Sequence, residues 1–280
     1  MRSLARRAVA FASLAACVAV PGPCARAETP GKAAAAALLE QFRRSVWAET
    51  IYAEFDLREM PRRGDERISH GRFWGARNER GPVTRFEVDG AGGAFSRHIL
   101  IQGGPDFGLW TSEGTAGGTP ADDALLAPVV PGSVITPFDL VPMPYLYWID
   151  SVFTGVERIR GRQAYIFMIS PPGDFASRAP GIKAVRAYLD AQYDALEQTE
   201  VIGADGRVAK TLTLLELRKV GSRWIPRDVD VRNEATRDKT RLTLTGVAVG
   251  IPADPAAFDP SRLGAPAAPA TGEAFIRITQ

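Results

Sequence analysis

The sequence predicts a mainly β protein in which one N-terminal helix precedes an antiparallel meander of about eleven or twelve strands. Three observations predict this fold class. Apolar residues alternate with a period of two over most of the chain after residue 45, short Gly- and Pro-containing segments separate the apolar runs, and residues 32–44 alone have helical spacing. A composition of 45% hydrophobic, 24% charged and 9% aromatic residues is typical of a globular protein and excludes a disordered chain.

Residues 1–27 are predicted to be a secretory signal peptide, not part of the fold. An arginine-rich start without acids, an apolar run and a final Ala25-Arg26-Ala27 predict cleavage before Glu28. A second site competes, because Leu14-Ala15-Ala16-Cys17 matches the lipobox at which bacterial lipoproteins are cut and lipidated. We therefore predict a soluble exported protein, with a lipid anchor at Cys17 as the alternative.

The predicted signal peptide, here called the leader, also contains the basic residues and cysteines that would suggest nucleic-acid binding or thiol chemistry. It holds four of the 34 basic residues, so the mature chain has 30 basic and 32 acidic side chains and gives no support to nucleic-acid binding. Both cysteines, Cys17 and Cys24, lie in the leader. The mature chain is therefore predicted to have no disulfide, no thiolate nucleophile and no cysteine-bound metal.

The first half of the sheet follows the helix directly. In the helix, Leu38, Leu39 and Phe42 share one face. The connections between the next apolar runs are of hairpin length, which predicts antiparallel pairing, since a parallel pair needs a dozen or more connecting residues. The predicted strands of this half are residues 46–59, 66–76, 83–89, 96–102 and 107–112.

The alternation stops between residues 114 and 150. Within this stretch, residues 136–148 combine four aromatic residues with three prolines, and each proline removes a donor from a β-ladder. A long apolar insertion that is not a strand indicates either a plug that closes the sheet or a mobile cover over a cavity. The sequence alone does not distinguish the plug from the mobile cover.

The second half of the sheet has stronger turn signals. Asp205-Gly206 is a hairpin signature, and the change of parity in the last strand predicts a bulge near Gly246. We predict a single domain over residues 28–263 and a loose tail, rich in Ala and Pro, over residues 264–280. The predicted strands of this half are residues 152–159, 163–170, 182–190, 196–202, 207–219, 224–233 and 239–249.

The hairpins of residues 150–249 resemble those of the bacterial outer-membrane lipoprotein-sorting proteins, the LolA/LolB-like periplasmic carriers. The resemblance rests on four segments in the same order and spacing: residues 155–165, 185–190, 205–211 and 221–226. The chain departs from the family in residues 171–181 and at Tyr188, where the family usually has tryptophan. The first half resembles the family only in its layout.

This resemblance implies a strongly curved antiparallel half-barrel with a helical or loop cover over its concave face. It implies a monomeric periplasmic carrier for lipidated proteins or lipid acyl chains. A membrane transporter or an outer-membrane acceptor is implied as a further partner. Each buried methylene contributes about 0.8 kcal/mol, so an apolar hollow holds an acyl chain without directional chemistry. The candidate cavity and cover residues are Phe73, Phe86, Trp110, Phe138, Leu140, Met143, Tyr145, Tyr147, Trp148, Tyr165, Phe167 and Trp224.

Catalysis has little support in the sequence. His70 and His98 lie on predicted strands outside any metal-ligand motif, where a solvated surface position is typical, and no nucleophile elbow or phosphate-binding loop is present. We predict no catalytic residue, no metal and no cofactor. Two alternatives remain: a cell-envelope sensor or accessory subunit that binds a partner protein with the same half-barrel, and a hydrolase whose site the sequence does not show.

Overall fold

A computed structural model describes residues 30–90, 96–190, 195–221, 223–270, 272 and 274–278. These residues form one antiparallel sheet and two α-helices, α1 (Lys32–Ser45) and α2 (Gly173–Arg178). The strands are β1 (Ile51–Met60), β2 (Arg67–Asn78), β3 (Gly81–Asp89), β4 (Ser96–Gln102), β5 (Gly108–Glu113), β6 (Thr119–Pro120), β7 (Ser151–Ile159), β8 (Arg162–Ile169), β9 (Ile182–Asp190), β10 (Leu196–Gly203), β11 (Val208–Val220), β12 (Arg223–Asn233), β13 (Lys239–Val249) and β14 (Ile276–Arg277).

The strands follow one another in space almost as they do in sequence. The order is β6-β5-β4-β3-β2-β1-β13-β12-β11-β10-β9-β8-β7, with β14 added to β13, and the described strands leave the sheet open at β6 and β7. The predicted mainly β, antiparallel half-barrel with an N-terminal helix is confirmed. Hairpin connections produce the order within each half, β1 to β6 and β7 to β13, because consecutive strands there pair with each other. The two halves join through the pairing of β1 with β13, which are distant in the sequence.

The predicted bulge lies at Thr245. Opposite β13, Glu54 pairs with Gly246 whereas Phe55 pairs with Leu244, so Thr245 has no counterpart in β1. Gly246 is covered by the ring of Phe275, and a Cβ at this position would collide with that ring. The bulge thus reverses which residues of β13 face the core, and glycine permits the close contact.

The large apolar core lies on the concave face of the sheet. Ala35 and Leu39 of α1 pack there, together with the alternate residues Ala53, Phe55 and Leu57 of β1. The segment between β6 and β7 crosses this face and is buried in the same cluster. Both the helix and the long insertion therefore serve to bury the inner face of the sheet.

The convex face of β1 to β5 is also covered, by the C-terminal segment. Trp74 Nε1 donates to the carbonyl of Ala268 at 3.0 Å, Arg85 donates to the carbonyl of Leu263 at 2.8 Å, and Phe275 packs on Tyr52. The tail predicted as loose over residues 264–280 thus packs on the sheet where it is described. Its Ala- and Pro-rich composition carries no local signal for this partner surface, which is formed by residues about 190 positions away in the sequence. The predicted domain limits remain a prediction.

A buried charge network lies beneath this segment. Glu87 accepts hydrogen bonds from Arg72 and Arg85, each at 2.6 Å, and His98 Nδ1 lies 3.7 Å from it. Burial by itself raises the pKa of a carboxyl, but the neighbouring His98 and the two guanidinium groups outweigh burial and lower the pKa of Glu87 below its usual value. Glu87 is therefore an anion in the folded protein at neutral pH.

Candidate functional site: the covered concave face

Residues 122–148, here called the cover, span the concave face without forming strands. They contain three short 3₁₀ turns, Asp122–Leu126, Pro137–Asp139 and Pro144–Tyr147. The second turn begins with a capping box, in which the backbone N–H and the hydroxyl of Thr136 donate to Asp139 at 2.9 and 2.8 Å. Prolines at the starts of two turns fix this irregular course, as their spacing in the sequence indicates.

An aromatic cluster forms the centre of the cover. The Phe138 ring lies 4.9 Å from the Tyr145 ring, 5.9 Å from the Trp148 ring and 5.8 Å from the Phe175 ring, measured between centroids. Phe175 comes from α2, and its ring lies 4.8 Å from that of Trp148. Phe175 is absent from the candidate residues predicted from the sequence, because α2 spans only six residues and gives no periodic pattern.

The two tyrosines of the cover differ in their surroundings. Tyr145 is buried, with its hydroxyl 3.3 Å from Thr199 Oγ1 and 3.1 Å from Met143 Sδ, and burial raises its pKa well above the usual value. Tyr147 lies nearer the surface, and burial raises its pKa to about 12. Both phenols are neutral at physiological pH, so neither adds charge to the apolar interior.

The perimeter of the cover is held by polar side chains from the rest of the protein. Arg43 of α1 donates to the carbonyls of Leu146 and Trp148, and Lys210 Nζ lies 2.8 Å from Asp139. Further perimeter contacts are Arg67 to the Pro131 carbonyl at 3.1 Å, Arg97 to the Pro128 carbonyl at 2.9 Å, the Val134 N–H to Thr240 Oγ1 at 2.8 Å, and the exposed ion pair of Arg178 with Asp122 at 3.4 Å. In the part of the chain that the structure describes, the cover forms no ladder with a strand of the sheet.

Most of the predicted cavity and cover residues meet in one core. Trp110 instead packs on the convex face with Leu100 and Leu263, and Trp224 is 54% exposed. Alternation assigns a residue to one side of a strand but does not say which side is concave, so these two positions were open to error. Those in or against the concave cluster are Phe73, Phe86, Phe138, Leu140, Met143, Tyr145, Tyr147, Trp148, Tyr165 and Phe167.

Two surface clefts lie outside this aromatic cluster. One, of about 290 Å³, borders the rim of the cover between Thr136, Lys210 and Asp238. The other, of about 360 Å³, lies beside the edge strand β7 between Gly155, Met168 and Arg186. Because the cover's own side chains fill the concave face, a ligand there needs the cover to shift.

The two histidines lie away from the cover. His70 is exposed, with Nδ1 2.7 Å from Asp56 Oδ1, whereas His98 is buried beside Glu87 on the convex side. The surface position expected for histidine therefore fits His70 but not His98, which is 8% exposed. Among the described residues, no group of three or more His, Cys, Asp and Glu side chains is placed to hold a metal ion, and no helix there is long and apolar enough to cross a membrane.

Comparison with solved structures identifies the fold. A DUF1329 family protein from Desulfovibrio piger superposes with a TM-score of 0.69 at 12% identity, covering 82% of this chain and 98% of that one. A LolA superfamily protein from Nitrosomonas europaea gives 0.63 at 11% identity, covering 82% and 98%. This chain has the LolA-like fold.

Two further comparisons bear on the family. A domain from Vibrio parahaemolyticus assigned to outer membrane lipoprotein sorting superposes with a TM-score of 0.65 at 12% identity, covering 81% of this chain and 95% of that domain. A family model described only as an uncharacterized protein matches residues 145–265. A search of curated proteins by sequence gives no match. At these identities the LolA-like relationship is one of fold, and function has to be argued from the site.

Proposed function

We propose that this protein is a periplasmic carrier that binds acyl chains, free or attached to a lipidated protein, beneath its cover. It performs no catalysis in this role. The ligand occupies the concave face, and a membrane donor and an outer-membrane acceptor exchange it with the protein. The carrier acts as a monomer.

The observation that supports this function most is the contrast between the centre and the perimeter of the cover. The centre is an apolar cluster of Phe138, Tyr145, Trp148 and Phe175 on the largest core of the protein. The perimeter is held by hydrogen bonds to separate backbone groups and by the ion pairs of Lys210 with Asp139 and of Arg178 with Asp122. An acyl chain can replace side-chain contacts in the centre, and its burial contributes about 0.8 kcal/mol per methylene. The donors and acceptors of the perimeter can form hydrogen bonds with water instead when the cover moves.

The chemistry of the interior suits such a ligand. Its aromatic and aliphatic side chains supply dispersion contacts but few polar groups, and the Tyr145 hydroxyl already has partners in Thr199 and Met143. A polar ligand would leave its own groups unpaired there, which costs free energy. The preference is therefore for saturated or unsaturated hydrocarbon chains.

Quenching of tryptophan fluorescence by a brominated fatty acid tests this proposal. The bromine atoms quench an indole only at close range, so we expect binding to quench Trp148. Replacing Trp148 with phenylalanine should reduce the quenching to the share of Trp47, which also packs against the concave cluster, whereas Trp224→Phe, at an exposed position, should leave it unchanged.

Two outcomes contradict the proposal. If the wild-type protein shows no quenching and no lipid is extracted from the purified protein, acyl binding is refuted, and a role in binding a partner protein becomes the better explanation. Quenching that persists in Trp148→Phe and disappears in Trp224→Phe would place the acyl chain on the outer surface instead.

A further inference from the structure

The sheet divides between β12 and β13. Their pairing extends only from Arg232↔Lys239 to Asp228↔Thr243. Beyond this point, in the described part of the chain, residues 244–249 of β13 pair with β1 and β14, while residues 223–226 of β12 pair with β11 alone. A fork therefore opens in the sheet between β12 and β13.

The β11–β12 hairpin extends from this fork as a two-stranded arm. Pairing between β10 and β11 stops at Gln198↔Thr213. Among the described strands, residues 214–220 of β11 therefore have a neighbour only in β12. Arg223 near the tip forms an ion pair with Glu49 at 2.6 Å, in the loop between α1 and β1. The arm and this ion pair thus frame an opening next to β13.

The opening leads to the concave core. Val220 and Ile225 of the arm are buried in the concave cluster, and so are Leu244 and Val247 of β13 on the opposite side of the fork. The same apolar cluster therefore continues across the gap where the two strands separate. Between β12 and β13, C-terminal residues of the chain close the core.

The C-terminal residues close the gap. β14 pairs with β13 at Gly246↔Arg277 and Val247↔Ile276, and the Ile278 N–H donates to the Thr245 carbonyl at 2.9 Å. Phe275 packs on the convex face with Tyr52, whereas Ile278 packs against the concave cluster. β14 thus occupies the fork as a short strand beside β13, with Phe275 and Ile278 on opposite faces of the sheet, and Ile278 packs on the core there.

The contacts that hold this closure are few and exposed. Ile276 is 45% exposed, and the side chain of Arg277, paired with Glu54 at 2.9 Å, is 68% exposed. Arg223 and Glu49 are each nearly half exposed. Exposed ion pairs contribute little to stability, and a two-residue strand adds few ladder bonds. Apart from the packing of Phe275 on Tyr52, the closure is therefore held by weak contacts.

We propose that the fork, closed by residues 275–278, is a side window through which an acyl chain enters and leaves the concave core. This inference rests on the proposed carrier function and specifies its route. A single hydrocarbon chain threads end-on between the arm and β13, while its polar head or attached protein stays outside. Displacement of residues 275–278 opens the passage, and the perimeter contacts of the cover can then persist during entry.

A reversible lock tests the route. The chain has no cysteine after Cys24, so Val247→Cys with Ile276→Cys introduces one pair at positions opposite each other in the ladder, where a disulfide can form. We expect the oxidised protein to take up a fluorescent fatty-acyl probe at least tenfold more slowly than the same protein after reduction. A locked pair elsewhere, Val83→Cys with Gln102→Cys between β3 and β4, should show no difference between the two states.

Labelling of a cysteine in the core gives a second, ligand-free measurement. Ile278→Pro removes the N–H that donates to Thr245, so thiol labelling of Leu244→Cys at the fork should be at least tenfold faster in the Ile278→Pro background. Labelling of Phe86→Cys, in the same core but far along the sheet, should not change.

The two measurements separate the possible failures. Equal uptake rates in the oxidised and reduced lock, with the probe still bound, overturn the window and leave the carrier function standing. Equal acceleration of labelling at both cysteines shows general unfolding and also overturns the window. Absence of probe binding in both redox states refutes the carrier function, and the route with it.

Discussion

Replacing Phe138 with alanine distinguishes a mobile cover from a fixed plug. The Phe138 side chain is 1% exposed and touches three other aromatic rings. Removing a large buried aromatic side chain costs about 3 to 5 kcal/mol, because transfer free energy is lost and a cavity remains. At about 1.4 kcal/mol for each factor of ten, this changes an opening equilibrium by roughly two to three orders of magnitude.

A mobile cover and a fixed plug predict different losses of stability for the cover and for the sheet. If the cover opens while the sheet stays folded, the loss of global stability cannot exceed the free energy of opening the cover, since the open form then becomes the ground state. We therefore expect Phe138→Ala to abolish protection of the cover amides and to cost the sheet amides clearly less than the full 3 to 5 kcal/mol. If the cover is a plug, the sheet loses the full amount.

Native-state hydrogen exchange measures both quantities in one experiment. The amide of Leu146, bonded to the Met143 carbonyl at 3.0 Å, reports on the cover, and the amides of β1 and β2 report on the sheet. Phe86→Ala is the matched control, because Phe86 is 3% exposed in the same cluster but belongs to β3. It should lower protection in the sheet by the full cost. An equal loss in cover and sheet for Phe138→Ala would refute the mobile cover.

Three further expectations follow from individual residues. Arg43→Ala removes two hydrogen bonds to cover carbonyls, so the cover amides should lose about 2 kcal/mol of protection while the sheet amides change little in hydrogen exchange. Glu87→Gln leaves the buried Arg85 without its counterion and should cost about 3 kcal/mol at pH 7 in urea unfolding. Since the folded-state pKa of Glu87 is lowered, its contribution is present above pH 4.5 and is lost as pH falls through the folded pKa, so variant and wild type should converge in acid; a constant difference would contradict this assignment. Intact mass of the exported protein should give an N-terminus at Glu28, and an acylated Cys17 would show an anchored form instead.

The strand pattern is the part of the fold that local sequence predicts best. Residues 224–233 were predicted as a strand and β12 is Arg223–Asn233; the helix predicted at 32–44 is Lys32–Ser45. The break in alternation correctly marked the long insertion. In contrast, α2 and the two-residue strands β6 and β14 were missed, because segments this short have no period to detect.

Alternation along a strand does not say which side of the sheet an apolar residue faces. Phe73 and Phe86 lie in the concave core as expected. Trp110 lies in the half of the sheet whose convex face is also buried, so an apolar residue there has two suitable directions. Phe175 and the closing residue Ile278 join the site only through the tertiary fold.

The sequence by itself determined the class of fold, the hairpin pairing within each half of the sheet and the place where the sheet is interrupted, because alternation, turn residues and prolines act on neighbouring residues. Only the tertiary structure decided that β1 pairs with β13, which face each apolar residue covers, how the cover is tied to Arg43 and Lys210, and where the C-terminal segment joins the sheet. These features depend on contacts between residues that are distant in the chain, and nothing in the local pattern at either end of such a contact specifies the other.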